Sequence, residues 1–178
     1  ARWYRRAADQ GLAVAQHNLA LVYLEGRGGL ARDTAAAVRW LTLAAEQGLA
    51  AAQYNLGVAY ETGEGVGEDD AEAARWLFKA ASHDNPLAQL ALGALYEQGR
   101  GVPRDLARAA EYFRRAATRG HTDAMFRLGL LHARGAGVPE ERVATIREFL
   151  DRVPGYTNGR LSGVVTRAAV DVPVAGQN

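Results

Sequence analysis

Apolar residues recur at helical spacing along most of the chain, in pairs of segments joined by glycine-containing turns. In the first segment of a pair, three apolar residues stand four positions apart on one helical face: Ala15, Leu19 and Tyr23. In the second segment, the apolar stripe follows the i, i+3, i+4, i+7 pattern of an amphipathic helix: Ala37, Trp40, Leu41 and Ala44. The pattern therefore predicts an all-α chain built from helical hairpins.

This pair of segments repeats, with related residues separated by 37, 36 and 36 positions. The second segments carry an aromatic series at this spacing: Trp3, Trp40, Trp76 and Tyr112. The first segments carry a leucine series, with small residues beside it that let a neighbouring helix approach closely: Ala20, Gly57, Gly93 and Gly129. A single hairpin cannot bury both of its apolar faces, so the units must stack, and the aromatic series is predicted to be core.

The turns inside the units also repeat, which indicates that their glycines serve the architecture and not a ligand. Each turn has one glycine after the first helix and a second two residues later, as in "GALYEQGRGVPRD" (93–105). A glycine at the helix end suits a left-handed cap, and Asp105 is placed to cap the following helix. Asp69 and Glu72 have the spacing of a capping box. Arg100 is expected only as a contact at the rim of a binding surface.

Composition and charge exclude several kinds of partner and site. The 178 residues suit one compact domain or one elongated array, and the formal net charge is +1, from 21 basic and 20 acidic residues. This balance argues against a general nucleic-acid or anionic-membrane partner, and no apolar run is long enough to span a membrane. The chain has no cysteine, which excludes disulfides and thiolate metal sites.

Residues that could carry catalysis are sparse. No two of the four histidines have the i, i+4 spacing of helical zinc ligands: His17, His83, His121 and His132. Neither Ser82 nor Ser162 lies in a nucleophile elbow, and the glycine turns lack the GK[ST] ending of a phosphate-binding loop. The sequence therefore predicts a protein that is not an enzyme, with no metal and no cofactor.

The repeated unit resembles a known family. Its pattern is A-x-x-x-L-G-x-x-Y-x-x-G-x-G-V-x-x-D followed by A-x-x-W-x-x-x-A-A-x-x-G, and "AAQYNLGVAYETGEGVGEDDAEAARWLFKAA" (51–81) fits it almost throughout. This pattern is similar to the Sel1-like repeat, a relative of the tetratricopeptide repeats. The resemblance implies a right-handed α/α superhelix of about four repeats, whose first helices line a concave groove. It also implies an adaptor that holds other proteins, from a bacterial source.

By resemblance to tetratricopeptide units, certain first-helix positions face the groove. We call them the predicted groove set: His17, Asn18, Leu21, Tyr54, Asn55, Val58, Leu90, Ala94, Phe126, Arg127 and Leu130. Asparagine can pair with both donor and acceptor of an extended peptide backbone, whereas Tyr54 and Phe126 offer apolar anchors. For these two aromatic residues, the alternative is packing between units. Asn18 and Asn55 are stronger candidates, because burying an amide without a partner is costly.

The ends of the chain depart from the repeat. The sequence begins in the middle of an amphipathic helix, so we expect a fragment, with residues 1–11 as the second helix of a truncated repeat. Residues 12–151 form the predicted array, and 152–178 a non-repeat tail. In that tail the pattern favours a capping helix over 161–170. The segment after Asp171 could instead dock in a groove of its own or of a neighbouring copy, and self-association through the tail or the exposed repeat ends is a further expectation.

The leading functional hypothesis is a scaffold that binds a peptide or protein partner in the groove. The alternative is an envelope enzyme or carbohydrate-binding factor acting on peptidoglycan or exopolysaccharide, against which the missing nucleophile and metal arrangements count. The sequence leaves the compartment open between the bacterial periplasm or envelope and the cytoplasm.

Overall fold

The structure, a computed structural model, describes residues 2–133 together with 156–157 and 160–161. Within these ranges the chain forms eight helices: α1 (Arg2–Asp9), α2 (Ala13–Glu25), α3 (Thr34–Glu46), α4 (Ala50–Thr62), α5 (Asp70–Ser82), α6 (Pro86–Gln98), α7 (Leu106–Thr118) and α8 (Thr122–Ala133). Two short antiparallel strands, β1 (Tyr156–Thr157) and β2 (Arg160–Leu161), follow. Leu161, the first residue of the predicted capping helix, thus lies in a strand. The rest of that helix and the segment after Asp171 lie outside the described residues.

The helices form an all-α repeat solenoid, as predicted. Each described helix packs against its neighbours in the sequence, so that α2–α3, α4–α5 and α6–α7 form three complete hairpin units. We number these units 1 to 3; α1 corresponds to the second helix of a unit before them, and α8 to the first helix of unit 4. The core consists largely of alanine and leucine, whose side chains are not branched at Cβ and suit close packing between helices.

Capping side chains begin the helices where the sequence predicts. Asp33, Asp69 and Asp105 each accept a hydrogen bond from a backbone N–H in the first turn of α3, α5 and α7. The capping-box interpretation of Asp69 and Glu72 is half right. Asp69 accepts from the backbone N–H of Glu72, but the Glu72 carboxylate pairs with Arg75, since the N–H of Asp69 already donates to Tyr60 O.

The turn glycines serve the stacking of units. The glycine that ends each first helix adopts the left-handed conformation: Gly26, Gly63 and Gly99. The second glycine of a turn lies against the backbone of the preceding unit, where a Cβ on Gly101 would overlap the carbonyl oxygen of Asp70. The loop of one unit therefore rests on the start of the second helix of the unit before it, which confirms the architectural interpretation.

The aromatic series is core in part. Trp76 is 5% exposed, and Trp40 and Tyr112 are half-buried against core clusters. Trp3, however, is 74% exposed, so the prediction that it is core is wrong for this residue. Its helix, α1, packs against α2 but has no second packing partner among the described elements, whereas α3, α5 and α7 each pack between two helices.

Candidate binding groove

The residues of the predicted groove set lie on four successive first helices. All eleven are half-buried, being neither part of the closed core nor fully exposed: His17, Asn18, Leu21, Tyr54, Asn55, Val58, Leu90, Ala94, Phe126, Arg127 and Leu130. The residues between them that face the second helices, such as Leu56 and Leu92, are fully buried. Each first helix therefore has one face closed by its own hairpin and another that remains partly open.

A hydrogen bond joins two members of the set across the boundary between units 1 and 2. Nδ2 of Asn55 on α4 lies 2.9 Å from Nε2 of His17 on α2. Burial lowers the pKa of His17 below its usual value of 6.5, and a side-chain hydrogen bond with Asn18 partly opposes this. His17 is therefore neutral at pH 7, and Asn18, His17 and Asn55 form one polar cluster.

The apolar members of the set also contact the core. Tyr54 and Leu90 pack against the cluster formed by α5, α6, α7 and α8, while part of each side chain remains accessible. Burial, together with the negative charge of Glu61, raises the pKa of the Tyr54 hydroxyl, which keeps it protonated as a hydrogen-bond donor. Packing and an open surface coexist at these positions, so the two interpretations of Tyr54 are not exclusive.

Arginines tie neighbouring units together along this side. Arg127 of the predicted groove set donates to Glu97 of α6 at 3.2 Å, and its guanidinium lies over the Phe113 ring. Arg100 is more than the predicted rim contact, because it pairs with both Asp70 at 2.6 Å and Glu61 at 3.1 Å. These pairs neutralise Glu61 and Glu97 of two first helices and Asp70 at the start of a second helix, each with an arginine of the next unit. The repeat pattern alone does not predict them.

Three buried glutamines escaped the sequence-based search for polar sites. Gln16, Gln53 and Gln89 each donate from Nε2 to the carbonyl oxygen eight residues earlier, near the end of the preceding second helix. Their spacing of 37 and 36 residues matches the repeat, so the sequence contains a signal for a structural role of these glutamines. They bind backbone and not solvent, so they hold consecutive units together and do not add to the open surface.

Among residues 2–133 no group of histidine and acidic side chains is arranged to hold a metal ion. An open apolar notch lies away from the predicted groove set, between α5, α6 and the loop after α6, with Phe78, Tyr96 and Val102 in its lining. None of the helices that the structure describes has the length and apolar character needed to cross a membrane.

Comparison with solved structures gives three informative matches. The chain is similar to c5321, a protective antigen present in uropathogenic Escherichia coli strains displaying an SLR fold, with 38% identity and a TM-score of 0.81 over 86% of this chain and 32% of that one. It is similar to a Sel1 repeat protein from Oxalobacter formigenes, with 33% identity and a TM-score of 0.78 over 88% of this chain and 64% of that one. Helicobacter pylori cysteine rich protein B matches at 25% identity and a TM-score of 0.54, over 69% and 87% of the two chains.

The chain thus spans about a third of the Escherichia coli protein and 64% of the Oxalobacter protein. No curated protein matches the sequence. The family model of the Sel1 repeat matches five consecutive segments: 1–12, 13–49, 50–85, 86–121 and 122–144. These segments coincide with the hairpin units of the fold and cover most of the sequence, and the protein belongs to the Sel1 repeat family.

Proposed function

We propose that this chain is a non-enzymatic scaffold that binds a peptide or protein partner along the predicted groove set. Sel1 repeat proteins in general mediate protein–protein interactions. The observation that carries the proposal for this chain is the partial exposure of the whole set on four successive first helices. Because the set, which we call the strip, lies on four successive first helices, it suits an extended segment that contacts each repeat in turn.

The chemistry of the strip suits a peptide. Tyr54 and Phe126 supply aromatic surface, which carries much of the binding energy at protein interfaces. Asn18 and Asn55 supply amides that can pair with a peptide backbone. Arg127 of the set forms an ion pair with Glu97, and Glu61 of α4 pairs with Arg100. The charge of the strip is therefore nearly balanced, which favours apolar and uncharged polar segments over a polyanion.

The proposed source is bacterial. The three structures described above come from bacteria, and each matches more than two thirds of this chain. The chemistry of the strip suits a segment whose apolar anchors lie two repeats apart, as Tyr54 and Phe126 do, with a free backbone between them.

A peptide-display selection tests this function. Wild-type protein would be the bait for a random dodecapeptide library, and a variant carrying Tyr54→Ala, Asn55→Leu and Phe126→Ala would be the subtraction bait. We expect peptides that bind wild type and lose at least tenfold in affinity for the triple variant, with an unchanged helical circular dichroism spectrum. Peptides that bind both baits equally would remove the support for binding along the groove set.

A further inference from the structure

The hydrogen bond between units 1 and 2 fixes which atoms of Asn55 face outward. Nδ2 of Asn55 is 2.9 Å from Nε2 of His17. An amide nitrogen only donates, so Nε2 of His17 must accept and carries no proton. The proton of the neutral imidazole therefore resides on Nδ1, and the side-chain amide of Asn55 is held in one of its two orientations.

This orientation leaves the other end of the amide available. Within residues 2–133 no group donates a hydrogen bond to Oδ1 of Asn55, and this oxygen is not among the buried polar atoms that lack a partner. It is therefore open to water. An amide oxygen accepts hydrogen bonds and donates none, so at this point the strip offers an acceptor.

We propose that His17 decides the hydrogen-bonding character of the binding surface at Asn55. With His17 neutral, Asn55 presents Oδ1 and takes an N–H donor from the partner, as from the backbone of an extended peptide. With His17 protonated, the amide turns over and presents its NH2 group, which takes a carbonyl oxygen. The inference rests on the proposed function, because it treats the strip as the surface that the partner contacts.

The Asn55 amide turns over because both ring nitrogens of a protonated histidine are hydrogen-bond donors. Protonated histidine carries an N–H on both ring nitrogens and has no acceptor, so the Nδ2–H···Nε2 bond cannot persist. A half-turn of the terminal torsion of Asn55 brings Oδ1 to face the new Nε2–H, and such terminal torsions have two nearly equivalent wells. Only a proton from solvent is required.

Because of the surroundings of His17, its protonation and the turning of the Asn55 amide occur only below neutral pH. Its pKa is lowered by burial and raised by the hydrogen bond with Asn18, and no charged side chain is among the causes. The other titratable groups on its own helix and on the helices packed around it are Arg2, Tyr4, Arg5, Arg6 and Asp9 of α1, Tyr23 and Glu25 of α2, Arg39 and Glu46 of α3, and Tyr54, Tyr60 and Glu61 of α4. The change is therefore expected below the usual pKa of histidine.

Nuclear magnetic resonance on the 15N-labelled full chain tests the orientation without any partner. At pH 7.5 we expect a scalar coupling across the hydrogen bond between Nδ2 of Asn55 and Nε2 of His17, and its loss on acidification with the same midpoint as the His17 ring shifts. A protonated Nε2 at pH 7.5, or a coupling that survives protonation of His17, would overturn the inference.

Two substitutions of Asn55 distinguish the effect of this hydrogen bond on the pKa of His17 from the effect of burial. Asn55→Asp places a carboxylate beside Nε2 and should raise the pKa of His17 relative to wild type, because the charged ring gains an anionic acceptor. Asn55→Leu removes the donor without adding charge and should not raise it. Identical His17 titrations in Asn55→Asp and wild type would contradict the contact.

A small amide probe tests the exposed acceptor. N-methylacetamide has an N–H donor, whereas N,N-dimethylacetamide of nearly the same shape has none. At pH 7.5 the Asn55 side-chain signals should shift more with the first probe, and this preference should disappear below the His17 midpoint. Equal shifts at both pH values would overturn the acceptor role. If the display selection yields no peptide whose binding depends on the strip, the proposed function is wrong, whatever the outcome of these measurements on Asn55.

Discussion

Gly93 of α6 lies directly against the ring of Phe113 of α7. A Cβ at Gly93 would be 2.6 Å from Cε1 of Phe113, and the backbone oxygen of Ala109 lies 3.3 Å from the same point. The ring is fully buried and has no free space to move into. In unit 1 the corresponding residues are Ala20 and Leu41, which are both buried in one core cluster. The separation of the two helices in each hairpin is thus matched to one small and one large residue.

Gly93→Ala should destabilise the protein although it raises helix propensity. The overlap with a buried ring costs about 1 to 3 kcal/mol in a well-packed core, against a gain of roughly 1 kcal/mol from replacing a helical glycine. Urea denaturation followed by circular dichroism measures the difference. Gly67→Ala, in the loop before α5, is the steric control, because a Cβ at that position meets nothing within 4 Å.

A second substitution should restore the lost stability in part. Gly93→Ala combined with Phe113→Leu recreates the alanine–leucine pair of unit 1, so the double variant should be more stable than the sum of the two single changes predicts. Strict additivity of the free energies of unfolding would show that the two side chains do not compete for the same space.

Replacement of the repeated glutamines by methionine should not cost the same in every unit. Gln16 donates to Ala8 O and also accepts from Gln47, whereas the Oε1 atom of Gln53 is buried without a partner. Each lost hydrogen bond costs about 1 kcal/mol, but removal of an unpaired buried oxygen offsets part of that cost. Gln16→Met should therefore destabilise more than Gln53→Met in the same urea assay. The reverse order would contradict the assignment of these bonds.

Arg100 should stabilise the stacking of units 2 and 3 in a salt-dependent way. Its guanidinium pairs with Asp70 and Glu61, and all three side chains are about one-quarter to one-third exposed. Because solvent screens such pairs, Arg100→Gln should cost only about 1 kcal/mol, with a smaller loss at high salt. The exposed Arg39 of α3 is the control: Arg39→Gln should leave the thermal midpoint nearly unchanged at both salt concentrations.

Stability should fall as the pH drops below about 6.5. Burial lowers the pKa values of His17 and His132 in the folded state, so the unfolded chain binds more protons in this range. Stability therefore rises with pH through this window and levels off above the unfolded value. His17→Gln should flatten the pH dependence, because the glutamine oxygen can still accept from Asn55. His83→Gln, at an exposed residue, is the control, and equal slopes for wild type and His17→Gln would contradict the burial of His17.

The sequence predicted the fold well because the repeat displays each structural requirement several times. The spacing of Leu19 and Leu56, the glycines of the turns and the capping aspartates each follow from local rules, and the structure confirms them. Trp3 departs from the prediction because its burial depends on what packs beside α1, a tertiary condition that the spacing of the aromatic series does not contain.

The chemistry of the open strip could be predicted only in outline. Its residues follow from the register of the first helices, but the partner of each polar group depends on contacts between neighbouring units, 30 to 38 residues apart in the sequence. The bond from Asn55 to His17 and the pairing of Arg100 with Asp70 are contacts of this kind. Periodicity places such residues on a face and gives no information about which neighbour they reach.

Affinity per folded molecule is the most direct test of the proposed strip. A peptide selected on wild type would be titrated by isothermal calorimetry against Tyr54→Ala, Phe126→Ala and Phe78→Ala, with the folded fraction of each measured by thermal denaturation. Phe78 is the matched aromatic control, because it is 53% exposed and lies in the notch away from the strip. The account predicts at least a tenfold loss of affinity for the first two variants and none for Phe78→Ala. Unchanged affinity in Tyr54→Ala and Phe126→Ala, with lowered thermal midpoints, would show that these residues only pack between units.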